Sequence, residues 1–124
     1  APMRATSTIR KAVKLAIKRK KNIFSASEYD FHVLFDLIKK NNYQWCPMFK
    51  NSPLKTGNTR SQDQKVYYKP NPVINCIWLK DIRKNKTIYD NSLVYLTSRK
   101  EGLDIDNLHD FKLAEFLMRT KSNV

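Results

Sequence analysis

The sequence predicts an α+β fold: a small antiparallel sheet of three or four strands packed by two helices, with a basic helix or arm at the N-terminus. Three observations predict it. Apolar and basic residues alternate at helical spacing near the N-terminus, Val-, Ile- and Tyr-rich runs fill the middle, and an apolar helical stripe lies near the C-terminus. A chain of 124 residues suits a single compact body. We therefore divide it into a basic N-terminal segment, 1–24, and one α+β domain, 25–124.

The N-terminal segment is predicted to form a basic amphipathic helix over residues 8–21. Apolar residues follow the i, i+3, i+4 spacing of one helix face: Ile9, Ala12, Val13, Ala16 and Ile17. Basic residues form a second stripe or lie beside it: Arg10, Lys11, Lys14, Lys18, Arg19 and Lys21. Because like charges at i, i+4 repel each other, this helix needs a surface for its apolar stripe and an anion for its basic one.

A second helix is predicted from residue 25 to about residue 40. Ser25 and Glu28 have the spacing of a capping box, and Phe24 stands in position to staple the first turn. Apolar side chains then recur at helical spacing: Phe31, Leu34, Phe35 and Ile38. This segment is expected to pack one face of the sheet.

Four strand-like segments follow, rich in Val, Ile, Tyr and Trp: 43–49, 65–69, 73–82 and 87–97. Pro70 and Pro72 predict a break between the second and third segments, because proline cannot donate a ladder hydrogen bond. The basic run 83–86 is interpreted as the tip of a hairpin that joins the last two strands. A final helix is predicted to begin near Asp106 or Asn107, where acidic residues suit a helix N-terminus.

Charge is the strongest indication of function. The chain has 24 Lys and Arg against 11 Asp and Glu, a formal charge of +13. The excess lies in residues 1–24 and 50–100, each carrying +8, whereas residues 25–49 carry −1 and the last 24 residues carry −2. This concentration of cations predicts contact with a nucleic acid. RNA is favoured over DNA because small basic proteins with an appended arm are frequent in RNA assemblies, and other proteins of the same assembly are possible partners.

The candidate nucleic-acid-binding residues form three groups. The first is the basic N-terminal set: Arg10, Lys11, Lys14, Lys18, Arg19, Lys20 and Lys21. The second comes from alternation in the strand predicted over 65–69, which places Lys65, Tyr67 and Lys69 on one face, where lysines hold a phosphate and a ring stacks a base. The third is the predicted hairpin tip: Arg83, Lys84 and Lys86.

No cofactor, metal site or membrane span is predicted. The longest largely apolar stretch, 73–79, is far shorter than the roughly 20 residues of a span. The two cysteines and two histidines lack the close ligand spacing of zinc motifs: Cys46, Cys76, His32 and His109. With so few cysteines and no apolar signal-peptide core, an intracellular location is expected, and mitochondrial, nuclear and virion locations stay open.

Several alternatives accompany the leading prediction, which is a non-enzymatic structural component of a ribonucleoprotein such as a ribosome. One is a DNA-binding or viral genome-packaging protein. Another is a small metal-dependent nuclease, since Asp63 and Lys65 have the acid-x-Lys spacing of such enzymes, with Asp36 or Asp81 as a second carboxylate. A third is a protein–protein adaptor that uses the C-terminal helix. An enzyme is the less favoured class, because no Gly-rich phosphate loop is present.

Overall fold

The computed structural model describes residues 1–122, so the last two residues of the predicted domain 25–124 lie outside the described residues. The α+β class is confirmed. The elements follow in this order: α1 (Thr6–Arg19), β1 (Asn22–Glu28), β2 (Leu37–Lys39), β3 (Trp45–Pro47), α2 (Pro53–Thr56), β4 (Tyr68–Cys76), β5 (Ser92–Leu96) and α3 (Leu108–Ser122). Short 3-10 turns lie between them: Val33–Phe35, Ser61–Asp63 and Leu79–Asp81.

The larger sheet has the strand order β4-β1-β5 and is mixed, not wholly antiparallel as predicted. β1 runs parallel to β5, with Ile23 opposite Leu93. β4 runs the other way, since Asn22 at the start of β1 bonds to Trp78 just after the end of β4. A parallel pair needs a long crossover connection, and the chain between β1 and β5 supplies it.

The chain divides into two compact units. The first comprises residues 1–27 and the chain from residue 69 onward, and it contains α1, most of the larger sheet and α3. The second comprises residues 28–68 and contains α2 and a two-stranded antiparallel sheet formed by β2 and β3. The functional division at residues 24 and 25 stays a prediction. Every helix in the described part of the chain is too short or too polar to cross a membrane.

α1 forms as predicted and packs against the larger sheet through small side chains. Ala12 and Ala16 are buried against Ile23, and half-buried side chains surround these three: Leu15, Ile74, Cys76, Leu93 and Tyr95. The prediction is wrong for the rest of the apolar stripe, because Val13 and Ile17 are 37% and 59% exposed. Val13 and Ile17 each follow a buried alanine by one residue, about 100° further around the helix, so they lie on its flank.

The predicted helix over residues 25–40 is wrong. Its first residues belong to β1, and Leu37–Lys39 forms β2. Ser25 is buried instead of capping a helix: its hydroxyl lies 2.6 Å from Oδ1 of Asn71 and 3.0 Å from the amide nitrogen of Ile74. A serine hydroxyl can form hydrogen bonds at a helix N-terminus or with distant residues. Here it bonds to residues of β4, and the helix that the local pattern predicts does not form.

β4 runs through Pro70 and Pro72, where a break is predicted. It is an edge strand, the position in a sheet where proline is tolerated. Between the prolines, Asn71 donates from Nδ2 to Oγ1 of Thr97 at 2.8 Å. Gly102 lies against this amide: a Cβ at that position would lie 2.9 Å from Asn71 Nδ2, so a larger residue would have to displace the Asn71 side chain.

The remaining predictions hold in part. β3 and β5 lie within the predicted segments 43–49 and 87–97, and α3 begins at Leu108, close to its predicted start. The segment 65–69 is a strand only from Tyr68 onward. The run 83–86 is not a hairpin tip, because β4 ends at Cys76 and β5 pairs with β1.

Candidate nucleic-acid interface

The first group of predicted binding residues lies largely on one side of α1. Arg10, Lys11, Lys14 and Lys18, here called the basic face, are all exposed, whereas the opposite side of the helix carries the buried Ala12 and Ala16. None of these four cations pairs with a carboxylate among residues 1–122. With 1.5 Å of rise per residue, the row from Arg10 to Lys18 spans about 12 Å. The basic face is thus a linear array of free cations on a packed helix.

The end of α1 carries the other three predicted cations of this group. Lys20 caps the helix in the left-handed conformation, with φ at 50°, and its side chain is exposed like that of Arg19. Lys21 differs, because it is half-buried and its ammonium donates to Oδ1 of Asn91. The carbonyl of Lys21 also accepts a hydrogen bond from Nε1 of Trp78 at 3.2 Å. Lys21 therefore has a structural role, and Arg19 and Lys20 extend the basic face.

Glu101 anchors the start of α1 from a distant part of the chain. Its Oε1 accepts hydrogen bonds from Oγ1 of Thr8 at 2.5 Å and from the amide of Ala5 at 3.3 Å. A carboxylate is favourable at a helix N-terminus, where it satisfies free amides and the helix dipole. The sequence gives no local signal for this cap, since the two partners lie 93 and 96 positions away.

The second predicted group does not form the expected strand face. Lys65 and Tyr67 precede β4, and Lys69 lies half-buried within it. The Tyr67 ring is half-buried and meets the His32 ring edge-on, with centroids 5.2 Å apart and an interplanar angle of 89°. His32 is fixed in turn by a hydrogen bond between its Nε2 and the carbonyl of Lys65. This packing restricts the part of Tyr67 that a base would reach.

The third group, Arg83, Lys84 and Lys86, lies exposed in the loop between the turn Leu79–Asp81 and β5. Two acidic residues hold this loop. The carbonyl of Asp81 accepts the amide of Lys84 at 3.1 Å. The carboxylate of Asp90 accepts the amides of Lys86 at 2.7 Å and Thr87 at 3.1 Å. The cations therefore project from a hydrogen-bonded turn.

The pKa of Asp90 is lowered because the amides of Thr87 and Lys86 donate to its carboxylate, a trend that slight desolvation opposes. A carboxyl with a lower pKa in the folded state stabilises the turn above about pH 3.9, the ordinary aspartate value. This contribution is lost as the pH falls through the lower folded value. We expect the Lys86 amide resonance to shift with the Asp90 carboxyl signal in an NMR titration between about pH 5 and pH 2.

The control for this titration is Asp90→Asn, which keeps the shape of the side chain and removes its charge. In that variant the acid-dependent shift of the Lys86 amide is expected to disappear. An unchanged shift in Asp90→Asn would contradict the role given to this carboxylate.

The carboxylates considered for a nuclease have other partners. Asp81 is buried and accepts a hydrogen bond from Nδ2 of Asn22 at 3.1 Å, and Asp63 is exposed and accepts one from Nδ2 of Asn58 at 3.1 Å. In the part of the chain that the structure describes, no three His, Cys, Asp or Glu side chains come together in a way that suits a metal ion. The nuclease alternative gains no support from this geometry.

Sequence reasoning misses one exposed aromatic and basic element, the hairpin formed by β2 and β3. Trp45 of β3 is 56% exposed, and the ammonium of Lys39 lies 5.9 Å from its ring centroid. One signal was available: residues 37–62 hold five basic residues and no acidic one. The predicted helix over 25–40 conceals the pairing, because it places Lys39 on a helix and Trp45 outside it.

No protein-family model matches this sequence, and no curated protein matches it.

Proposed function

We propose that this chain is a non-enzymatic nucleic-acid-binding protein, a structural RNA-binding component of an intracellular ribonucleoprotein such as a ribosome. One observation carries the proposal: the basic face of α1 is an acid-free row of exposed cations on a helix that packs against the larger sheet. Each lysine or arginine that neutralises a phosphate releases condensed counterions, and this release supplies affinity. The helix keeps the cations in place before binding, so less conformational entropy is lost on contact.

The proposed footprint extends beyond the basic face. Arg19 and Lys20 continue it at the end of α1, and the exposed loop cations Arg83, Lys84 and Lys86 supply further contacts. Lys65 and Lys69 have a lesser place in it, and Tyr67 is the weaker stacking candidate because of its packing against His32. RNA remains the favoured polymer on the general ground given above, and duplex DNA is the comparison that tests the preference.

A second candidate function, protein contact through α3, is favoured by a separate observation. Three of its large apolar side chains lie within about 80° of one another around the helix axis, and their exposed fractions are high: Leu108 67%, Phe111 52% and Met118 52%. Contiguous exposed apolar surface commonly marks a protein interface. Within the proposed assembly this helix would contact a neighbouring protein. An adaptor without any nucleic acid would form a complex that survives high salt and is lost when Leu108 and Phe111 are replaced by serine.

The main test neutralises the basic face without removing the helix. Deleting residues 1–24 would also remove Ala12 and Ala16 from the core, so we choose the triple variant Arg10→Gln, Lys14→Gln, Lys18→Gln. The slope of log affinity against log salt is expected to fall by about 2 on single-stranded RNA and about 3 on a duplex, since each lost contact is worth about 0.7 and 0.9. The slope is measured by fluorescence anisotropy between about 50 and 200 mM salt.

A control of equal charge is the triple variant Lys100→Gln, Lys112→Gln, Arg119→Gln, which removes three cations outside α1. These side chains are exposed, and the ion pair of Arg119 with Glu115 joins two exposed groups and contributes little. Its salt slope is expected to stay close to that of the wild type. Equal slopes for the two triple variants would overturn the assignment of the basic face, because binding would then depend on net charge alone.

A further inference from the structure

The hairpin of β2 and β3, residues 37–47, carries an exposed pair of aromatic side chains; we call it the aromatic hairpin. Tyr43 at its tip is 93% exposed and Trp45 is 56% exposed. Lys39 and Trp45 are partners in the strand register, so their side chains share one face of the hairpin. The Lys39 ammonium lies 5.9 Å from the centroid of the Trp45 ring. A cation and an aromatic face are thus offered together.

The tip of the aromatic hairpin is held in one conformation. Oδ1 of Asn41 accepts the amides of Tyr43 and Gln44, both at 3.1 Å, and Nδ2 of Asn41 donates to Oε1 of Gln44 at 2.8 Å. The amide of Lys40 also donates to the carbonyl of Gln44 at 2.8 Å. These bonds fix the backbone around Tyr43 and hold its ring in an exposed position. The hairpin therefore loses little backbone entropy when this ring binds a ligand.

The stretch of chain that carries this pair, between Asp36 and Asp63, is basic, which favours an anionic ligand. Residues 37–62 contain five cations and no acid: Lys39, Lys40, Lys50, Lys55 and Arg60. Proteins that bind single strands combine such positive surface with aromatic rings on which successive bases stack. A duplex keeps its bases stacked on each other, so it would leave Tyr43 and Trp45 without base faces on which to stack. A protein ligand would bury these rings equally well, but the cation beside Trp45 favours a polyanion.

From this geometry we infer that the aromatic hairpin binds unpaired nucleotides, with Tyr43 and Trp45 stacking on bases and Lys39 and Lys40 contacting the phosphates beside them. This inference rests on the proposed function, since it assumes that the partner is a nucleic acid. It specifies the form of nucleic acid that this hairpin binds, which is a single-stranded stretch of the polymer. Stacking tolerates every base, so little sequence preference is expected here.

The test follows the fluorescence of Trp45. Trp45 and Trp78 are the two tryptophans of the chain, so Trp78→Phe leaves Trp45 as the one indole that responds. A single-stranded uridine oligonucleotide is expected to quench this fluorescence, whereas a duplex RNA of equal length is expected to quench it much less. If circular dichroism finds Trp78→Phe unfolded, the difference between the wild-type and Trp45→Phe signals supplies the same measurement.

Tyr43→Ala is the decisive variant, because the lost side chain is almost wholly exposed and the fold does not depend on it. Its affinity for the uridine oligonucleotide is expected to fall about 5- to 140-fold, the equivalent of one stacked base. Phe116→Ala, which removes an exposed aromatic ring from α3, is the matched control and is expected to bind like the wild type.

Three results would overturn the inference: no quenching by the single strand, equal quenching by the duplex, or unchanged affinity in Tyr43→Ala. Burial of Trp45 against a protein subunit in the native complex, without quenching by the oligonucleotide, would also overturn it in favour of a protein ligand. The outcome is separable from the proposed function. The triple variant of the basic face tests α1, and it leaves the Trp45 signal to report on the hairpin alone.

Discussion

Replacing Ala12 by aspartate is expected to cost at least about 4 kcal/mol of the free energy of unfolding, a large share of the stability of a domain this size. Ala12 is fully buried between α1 and the larger sheet. A carboxylate there would lose its hydration and gain no cation, because the basic side chains of α1 point away from the sheet. The loss is measured by urea unfolding followed by circular dichroism.

The control places the same residue at the neighbouring exposed position, as Lys11→Asp. This variant changes the net charge by two units, whereas Ala12→Asp changes it by one, so a general charge effect would be larger in the control. We expect Lys11→Asp to stay within about 0.5 kcal/mol of the wild type. If Ala12→Asp also unfolded at the wild-type urea concentration, α1 would not be packed as described, and the fixed array of cations would lose its basis.

Ile23→Ala is expected to cost about 2–5 kcal/mol, and Ile23→Val about 0.5–1.5 kcal/mol. Ile23 lies at the centre of β1, the middle strand of the larger sheet, and is fully buried between Ala12, Ala16 and the flanking strands. Removing its outer carbons leaves a cavity that the packed helix cannot fill. Thermal and urea unfolding of the two variants measure the graded loss.

Ile82→Ala is the control for this pair, because Ile82 is 58% exposed in the loop before β5. Truncation at an exposed site removes little buried surface and is expected to change stability by about 0.5 kcal/mol or less. A loss at Ile82 equal to that at Ile23 would contradict the placement of the core beneath α1.

The helical ends of the chain are readable from sequence because their signals are local. α1 and α3 form where apolar periodicity and acidic start residues predict them. The middle is not readable in the same way. Ser25 and Glu28 have the spacing of a helix cap, yet they lie in β1, where Ser25 finds its partners in β4, almost fifty positions along the chain. A local pattern indicates which structure a segment favours in isolation. Here contact with β4 stabilises the strand by more than the local preference favours a helix.

Some residues of the candidate site can likewise be predicted from sequence, and others cannot. The excess of cations and their position on the first helix follow from residue order, so Arg10, Lys14 and Lys18 are predictable. Tyr67 was a sound candidate by composition, but its ring packs against His32. The pairing of Lys39 with Trp45 depends on a hairpin register, and an incorrect helix prediction hides it.

The α+β class, the first and last helices and the strongly basic N-terminal segment can be predicted from residue order, because composition and short-range periodicity are local properties of the chain. Three features require the folded chain: the buried side of α1, the cap that Glu101 provides at its start, and the place of β1 between β4 and β5. These features depend on contacts between residues far apart in the chain. The neighbours of a residue in sequence do not show which distant residue it will contact.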